Sequence, residues 1–219
     1  MGLVANVIGA SGLVGKELVQ QLLYHHEFEK VRIFVRRNMG ILNSRLEEHI
    51  IDFENPETWK SYLQGDILFS TLGTTIKSAK TKDKQYRVDF TYQFQFAKAA
   101  AENGIPCYVL VSSMGADSRS KVFYSRIKGE LEDAVALLKF RRLVIFRPSI
   151  LDGNRKEKRK SEKIGLVISR FITYFIFKSY RPTPVDALAN KMIRSSLEQI
   201  DGCHIVEASR IFSSEYIDN

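Results

Sequence analysis

A tyrosine and a lysine one helical turn apart are the side chains of this sequence best suited to acid–base chemistry. Tyr124 and Lys128 stand in the stretch YSRIK, inside a pattern that predicts a helix over 124–138. Residues i and i+4 share one helix face, so we expect the phenol and the ammonium to point the same way. A nearby cation favours the phenolate form of a tyrosine and suits it to proton transfer near neutral pH. The pair therefore predicts a general acid–base centre.

Two serines precede this pair and are placed to hold a substrate oxygen beside it. Ser112 and Ser113 follow the apolar run 108–111, which predicts a buried strand. A hydroxyl both donates and accepts hydrogen bonds, so a serine here could orient a carbonyl oxygen next to Tyr124. We favour Ser113 as the catalytic hydroxyl, with Ser112 close behind. The alternative is that YxxxK is an ordinary helix surface, since the pattern occurs often by chance.

A glycine-rich turn near the start of the sequence predicts a binding site for a dinucleotide. It lies between an apolar run over 3–8, which predicts a buried strand, and a helix with one apolar face. Gly9 would allow a sharp turn, Gly12 a close approach of the pyrophosphate, and Gly15 close packing of the helix on the strand. The helix N-terminus would offer N–H groups to the phosphates. The alternative is an ordinary strand-to-helix turn, because a glycine pattern alone is weak evidence.

Two arginines after the second predicted strand indicate which dinucleotide binds. The strand over 31–35 ends in Arg36 and Arg37, and no Asp or Glu follows until Glu47. A carboxylate here would accept hydrogen bonds from the adenosine ribose of NAD, whereas guanidinium groups pair with the 2′-phosphate of NADP. The sequence therefore predicts NADP(H) as the cofactor. The alternative is a solvated arginine pair at the start of a loop.

Strands and helices alternate along the chain, which predicts an α/β protein with a doubly wound parallel sheet, the Rossmann fold. We interpret 1–219 as a single domain, with a dinucleotide-binding core over 1–153 and an extension over 154–219 that forms a substrate or lid region. Residues 74–84 are expected to be polar and mobile. Further strands are expected over 46–53, 66–71, 143–146 and 203–206, and further helices over 56–63, 85–103 and 184–199.

Composition limits the classes of protein to which the chain can belong. It has 219 residues, of which 44% are apolar, so it can bury a sizeable core. No stretch reaches the roughly 18 apolar residues of a membrane span, and no room for a signal peptide precedes the first strand. We therefore expect a cytoplasmic protein. We expect no disulfide, because Cys107 and Cys203 lie far apart without a disulfide pattern. We also expect no metal site, because neither the cysteines nor the four histidines have the spacing of metal ligands.

The charge of the chain is concentrated in one loop. The formal net charge is +8, and 155–163 carries half of it. Such a run is usually solvated, so we expect no nucleic-acid partner. The apolar segment 164–177 that follows is expected to form a lid or a subunit contact, with an anionic membrane surface as the alternative. The sequence leaves both a monomer and a homodimer open.

Over roughly 3–153 the sequence resembles the short-chain dehydrogenase/reductase superfamily. Within it, the chain is most similar to an atypical branch of NADPH-binding oxidoreductase homologues, that of the Tat-interacting protein. The motifs that carry the resemblance, in chain order, are GASGLVG, FVRR, IIDFEN, STLGTT, YRVDF, VLVSSMGAD, YSRIKGELE and VIFRPSILDGNR.

The resemblance implies a cofactor site that follows the carboxyl ends of the strands. The pyrophosphate would lie on the glycine turn, the 2′-phosphate on the arginines, and the adenine after the third strand. The ribose side would follow the fourth strand, and the nicotinamide amide would face the residues after the sixth. The implied cofactor-binding residues are Gly9, Ser11, Gly12, Leu13, Val14, Arg36, Arg37, Asp52, Phe53, Leu72, Gly73, Thr74, Ser112, Lys128, Pro148, Ser149 and Ile150.

Two functions fit these residues. The first is an NADPH-dependent reductase of a small carbonyl substrate, with Tyr124 as acid and base and Lys128 as a donor to the nicotinamide ribose. The alternative is an NADPH-sensing protein that presents a surface to a protein partner and turns over little. A nucleotide-sugar epimerase is disfavoured, since few residues remain after 153 to enclose so large a substrate. Where many superfamily members carry a proton-relaying Asn, this sequence has Asp89, as the atypical branch does.

Overall fold

The alternating pattern folds into a parallel sheet of seven strands. The computed structural model describes residues 2–152 and 182–212. Two further short strands pair with each other outside the main sheet. The strands among the described residues are β1 (Leu3–Ile8), β2 (Phe28–Val35), β3 (Leu46–Ile50), β4 (Ile67–Ser70), β5 (Cys107–Val111), β6 (Arg142–Arg147), β7 (Leu151–Asp152), β8 (Thr183–Pro184) and β9 (Gly202–Glu207). The order across the main sheet is β3-β2-β1-β4-β5-β6-β9, and every neighbouring pair is parallel.

Helices cover both faces of this sheet. One face packs on α1 and α6, and the other packs on α4 and α5. A π-helical turn, Arg87–Thr91, lies between α3 and α4. The helices are α1 (Leu13–Tyr24), α2 (Ile76–Ala79), α3 (Lys82–Tyr86), α4 (Tyr92–Glu102), α5 (Phe123–Ala136) and α6 (Val185–Leu197).

The residue pattern explains why these elements form. Strands β4 and β5 are buried at every position, as expected for parallel strands with helices on both faces. In α1 the apolar side chains of Val14, Leu18 and Leu22 recur every four residues and form its buried face. The doubly wound fold predicted from the sequence is therefore present.

The strand order places one crevice at the centre of the molecule. The chain moves outward from β1 to β2 and β3, and then returns to the other side of β1 as β4. In such sheets ligands bind at the carboxyl ends of the strands, where the order reverses. That position lies between the ends of β1 and β4, where the glycine turn begins.

Local structure differs from the sequence-based expectation in two places. Residues 74–84, expected to be mobile, form α2 and α3 instead, because the hydroxyls of Thr75 and Thr81 accept hydrogen bonds from backbone N–H groups three residues later. The helix expected over 56–63 is two 3₁₀ turns, which meet at Trp59. The Trp59 indole is fully buried and stacks on Phe96 at 3.7 Å between ring centroids.

The described part of the C-terminal extension completes the main sheet. Strand β9 pairs with β6 from Arg142 opposite Gly202 to Arg147 opposite Glu207, and α6 packs against α1. The basic loop 155–163 and the apolar segment 164–177 lie outside the described residues. Within the described ranges, no helix is both long enough and apolar enough to cross a bilayer.

Truncation of Leu188 on α6 tests whether the C-terminal residues share the core of the sheet. The Leu188 side chain is fully buried, so we expect Leu188→Ala to lower the free energy of unfolding by about 2–5 kcal/mol in one cooperative transition. Chemical denaturation measures this. Asn190→Ala, on the exposed face of the same helix, serves as the control and should change stability by less than about 0.5 kcal/mol. A separate early transition for α6 would contradict the shared core.

Candidate functional site

The glycine turn after β1 has a backbone geometry that only glycine satisfies. Gly9 has φ +82°, and a Cβ there would lie 2.5 Å from the carbonyl carbon of Thr71. Its carbonyl oxygen accepts a hydrogen bond from the Gly12 N–H at 2.8 Å. The turn therefore brings the end of β1 against the segment that follows β4.

The start of α1 is fixed against this turn and is open to an anion. A Cβ on Gly15 would lie 2.2 Å from the Gly9 carbonyl oxygen, so the first helical turn packs on backbone. The N-cap is Gly12, no side chain caps the helix, and its first turn has no acidic residue. The N–H groups of Leu13 and Val14 therefore keep their hydrogen-bonding capacity for phosphate oxygens. Ser11 is exposed beside them.

Two guanidinium groups lie at the end of β2. Arg36 and Arg37 are exposed, and neither makes a hydrogen bond or ion pair with any residue the structure describes. Glu47 on β3 is the first acidic residue after them, and it forms ion pairs with Lys30 and Arg32 on β2. The two cations are thus free to pair with an anionic ligand.

The residues expected at the adenine have different surroundings. The Phe53 ring is 6% exposed and packs against the rings of Tyr92 and Phe96, so it belongs to the core and offers a ligand little more than its edge. Asp52 is exposed, and its carboxylate accepts a hydrogen bond from the Glu54 N–H at 3.0 Å.

Glu54, Arg87 and Tyr92 form a surface cluster that the sequence did not predict. The cluster fixes the loop after β3 against the π turn. The Glu54 carboxylate accepts hydrogen bonds from the Tyr92 hydroxyl at 2.5 Å and from Arg87 at 2.8 Å. These bonds hold the pKa of Glu54 below its ordinary value. Partial burial and the Glu54 carboxylate raise the pKa of Tyr92 to about 12.

A buried ion pair lies beneath the segment that follows β4. The Lys128 Nζ is 3.2 Å from Oδ1 of Asp89, and the two side chains are 2% and 0% exposed. The other carboxylate oxygen of Asp89 accepts a hydrogen bond from the Thr74 N–H at 3.2 Å. A Cβ on Gly73 would lie 3.6 Å from the same carboxylate. The pair therefore joins α5 to the residues expected at the ribose side of the cofactor.

The groups around Lys128 decide its protonation state. Burial alone would lower the pKa of its ammonium group, but Asp89, Tyr124 and Glu132 together hold that pKa above its ordinary value, with Asp89 contributing most among them. The lysine is therefore a fixed cation. Tyr124 lies one turn earlier on α5 and is 39% exposed, so its phenol remains accessible to a ligand.

The two serines after β5 have different partners. The hydroxyl of Ser112 is buried and donates a hydrogen bond to the carboxylate of Glu132, which also accepts bonds from Arg147. The guanidinium of Arg147 reaches Glu207 on β9 at 3.1 Å. The hydroxyl of Ser113 is half-buried and, among the described residues, makes one hydrogen bond, to the carbonyl of Met114 at 3.3 Å. Ser112 is thus part of a structural network, and Ser113 keeps the more accessible hydroxyl.

The residues expected at the nicotinamide follow β6 and contact the loop after β5. The Pro148 carbonyl accepts a hydrogen bond from the Met114 N–H at 3.0 Å, next to Ser113. The hydroxyl of Ser149 lies 3.0 Å from that of Thr183. Ile150, expected near the nicotinamide amide, is half-exposed, and Leu72, expected at the ribose side, is partly buried. Among residues 2–152 and 182–212, no group of three His, Cys, Asp or Glu side chains could hold a metal ion.

Comparison with known sequences shows the relationship of the chain to other proteins. A family model described as NAD(P)H-binding matches residues 9–158, more than half of the chain. The mitochondrial protein fmp52 of Aspergillus clavatus is 33% identical over 213 residues, which cover 90% of this chain and 89% of that protein. Protein HTATIP2 of Rattus norvegicus is 37% identical over 160 residues, 71% of this chain and 66% of that protein. The resemblance inferred from the motifs is therefore confirmed.

Solved structures share the fold of the chain at low sequence identity. UDP-glucose 4-epimerase of Thermotoga maritima, solved with UDP-glucose, has a TM-score of 0.69 and 14% identity, and the match covers 93% of this chain and 76% of that chain. The enzyme WbmG of Bordetella bronchiseptica, in complex with NAD, has a TM-score of 0.70 and 12% identity, covering 94% and 73%. At these identities the likeness shows the Rossmann fold alone.

The relatives correct one expectation. Protein fmp52 is named mitochondrial in Aspergillus clavatus, in Emericella nidulans and in Candida glabrata. The cytoplasmic location expected from the sequence is therefore wrong. It rested on the lack of a secretory signal and of a membrane span, and neither feature separates the cytoplasm from the mitochondrion.

Addition of one methyl group to the glycine turn tests its close backbone packing. In an unobstructed helix, Gly→Ala stabilises by about 1 kcal/mol. At Gly15 the new Cβ would meet backbone, so we expect Gly15→Ala to destabilise the protein by about 1–3 kcal/mol instead. Chemical denaturation gives the sign directly, and Gln20→Ala on the exposed face of α1 controls for helix propensity. A stabilised Gly15→Ala protein would contradict the packing.

Proposed function

The chain belongs to the NAD(P)H-binding family, and we propose that it acts as an NADPH-dependent reductase of a small carbonyl substrate. One observation carries the proposal. The segment after β4 touches the glycine turn at Thr71 and the buried ion pair at Thr74. A ligand that crosses this segment would have the anion-binding start of α1 at one end and Tyr124 with Lys128 at the other.

The described residues fit the phosphate groups of a dinucleotide. The start of α1 has no capping side chain and no acidic residue, and its first turn packs closely on Gly9. The first N–H groups of a helix have no partner within the helix and can bind phosphate oxygens. We propose that this turn, with the exposed Ser11 hydroxyl, holds the pyrophosphate. The remaining cofactor contacts expected from the resemblance extend along the carboxyl ends of β3, β4 and β6.

The preference for NADPH over NADH rests on the end of β2. Arg36 and Arg37 are exposed and have no partner among the described residues, and the first carboxylate after them, Glu47, is already engaged. Two free cations suit the 2′-phosphate, which carries close to two negative charges at neutral pH. A carboxylate for the ribose hydroxyls of NADH has no counterpart at this position.

The chemistry of reduction assigns a role to each residue around Tyr124. When bound, the reduced nicotinamide supplies a hydride to the carbonyl carbon. Tyr124 donates its phenolic proton to the carbonyl oxygen, so that an alcohol is released. Ser113 donates a hydrogen bond to the same oxygen and orients it. Lys128 provides a fixed positive charge near the phenol and a donor to the ribose hydroxyls. Proton exchange with solvent then restores the phenol.

We also propose that 1–219 forms one domain around this site. The described residues after 182 support it, because α6 packs on α1 and β9 extends the sheet beside β6. Strand β8 returns beside β7, with the Thr183 N–H donating to the Ile150 carbonyl at 2.8 Å. The chain therefore comes back to the carboxyl edge of the sheet where the nicotinamide is proposed to bind.

Removal of either arginine after β2 tests the choice of cofactor. A charge-assisted hydrogen bond to the 2′-phosphate is worth about 1.5–3 kcal/mol, so we expect Arg36→Ala and Arg37→Ala each to weaken NADPH binding roughly 10- to 100-fold. NADH binding should change little. Fluorescence titration measures both, and Arg194→Ala, an exposed arginine of α6, controls for the loss of one positive charge. Equal affinities of the unaltered protein for NADPH and NADH would refute the preference.

Replacement of the tyrosine on α5 tests the acid–base role. We expect Tyr124→Phe to lower kcat against a panel of small aldehydes and ketones by at least about 100-fold, and to leave the NADPH Kd within about 2-fold. The phenol acts on the substrate, so cofactor affinity should survive. Tyr24→Phe, a highly exposed tyrosine of α1, is the matched control. Normal turnover by the Tyr124→Phe protein would instead favour an NADPH-sensing role.

A further inference from the structure

We infer that Asp89 is a positioning residue, whose buried carboxylate fixes both the Lys128 ammonium and the Thr74 end of the cofactor segment, residues 71–74 after β4, on which NADPH is proposed to lie. The inference rests on the proposed function, because it concerns how that site holds NADPH. It adds a specific requirement: Asp89 acts through Lys128, and a neutral side chain of the same shape cannot replace it.

The carboxylate of Asp89 has a different partner for each of its oxygens. One oxygen lies 3.2 Å from the Lys128 Nζ, and the other accepts the Thr74 N–H at 3.2 Å. The carboxylate is fully buried, so both interactions act in a region of low dielectric constant, where charge pairs are strong. A change in the position of either partner is therefore transmitted to the other.

The backbone around Asp89 holds the carboxylate in this position. Asp89 lies at the centre of the π turn, a geometry that occurs often at functional sites. Its main-chain carbonyl accepts a hydrogen bond from the Gln93 side chain at 2.8 Å, and Gln93 in turn accepts one from the Ser70 hydroxyl at 2.7 Å. Ser70 is the last residue of β4. The π turn is thus bound to the strand that leads into the cofactor segment.

The same geometry gives Lys128 a defined direction. An ammonium group has three donors, and its ion pair with Asp89 at 3.2 Å holds it on one side. Donors on its other side are left for the ribose hydroxyls of a bound cofactor. Without the carboxylate, the ammonium would move to another partner or lose its proton, because burying an unpaired charge is unfavourable in free energy.

The ionisable groups around Lys128 show what a neutral residue at position 89 would do. Asp89 is the charged group that supports the ammonium from the π turn, while Tyr124 and Glu132 act on it from α5. The Glu132 carboxylate is already paired with Arg147. Burial disfavours the charged form of Lys128, and the Asp89 charge counters this effect. Removal of the Asp89 charge should therefore lower the pKa of Lys128. The lysine would then lose its proton as pH rises.

Asp89→Asn is the most informative substitution, because it separates charge from shape. The amide oxygen of Asn can still accept the Thr74 N–H, but the negative charge is gone. We expect the NADPH Kd of this variant to rise at least tenfold between about pH 7 and pH 9.5, where the unaltered protein stays nearly constant. Fluorescence titration across this range measures it. Asp83→Asn, the same change at an exposed position of α3, should show no such pH dependence.

A double-variant cycle tests whether Asp89 acts through Lys128. Asp89→Asn is compared in the natural background and in a Lys128→Met background, with NADPH Kd as the readout. We expect a change of less than about 2-fold in the second background, because the ammonium on which Asp89 acts has gone. The same factor in both backgrounds would show a merely structural role and would overturn the inference, while the reductase assignment would stand.

The inference can be tested even if the Asp89→Asn protein does not fold. If Asp89→Asn alone fails to fold, the Asp89→Asn, Lys128→Met protein, which buries no unpaired charge, is compared with Lys128→Met alone. Asp89→Glu provides a second measurement, since it keeps the charge and should retain the pH-independent affinity. A strongly pH-dependent Asp89→Glu protein would contradict the inference. Failure of the unaltered protein to bind NADPH would instead refute the proposed function itself.

Discussion

Close contact between backbone atoms at the end of β1 is the constraint on which the site depends. The Gly9 carbonyl oxygen accepts the Gly12 N–H and lies against Gly15, while the other side of Gly9 presses on Thr71. Side chains are absent from all of these contacts, so the turn, the first helix and the segment after β4 meet at backbone distances. The position of the uncapped start of α1 and the course of the chain after β4 both follow from this packing.

Electrostatics organises the opposite end of the same crevice. There the backbone is held by a buried carboxylate that pairs with an ammonium from α5 and accepts an N–H from the segment after β4. A neutral site of this shape would be easier to bury, since desolvation of two charges opposes folding. The pair is stable because each carboxylate oxygen has a partner, and because Asp89 is fixed in the π turn, where its main-chain carbonyl accepts a hydrogen bond from Gln93.

Strands and helices with strong periodic patterns could be predicted from the sequence, and the side-chain partners could not. The run over 3–8 and the apolar face of α1 have clear patterns, and their bounds agree closely with the structure. The helices over 76–86 were missed, because they are short, polar and stabilised by Thr75 and Thr81 caps rather than by an apolar face. Asp89 was noticed only as a departure from a familiar pattern. Its contact with Lys128 crosses from one helix to another, and spacing along the chain does not reveal such a contact.

The network around Glu132 has a consequence for the order in which the molecule can be assembled. Arg147 joins the helix that carries Tyr124 to Glu207, sixty residues further along the chain. A polypeptide emerging from the ribosome therefore completes its glycine turn early, from residues close in sequence. The network of Ser112, Glu132 and Arg147 receives its contact with Glu207 only after β9 has paired with β6. The glycine turn is thus complete in synthesis before the residues around Ser112 have all of their contacts, and β9 supplies the latest of these among the described residues.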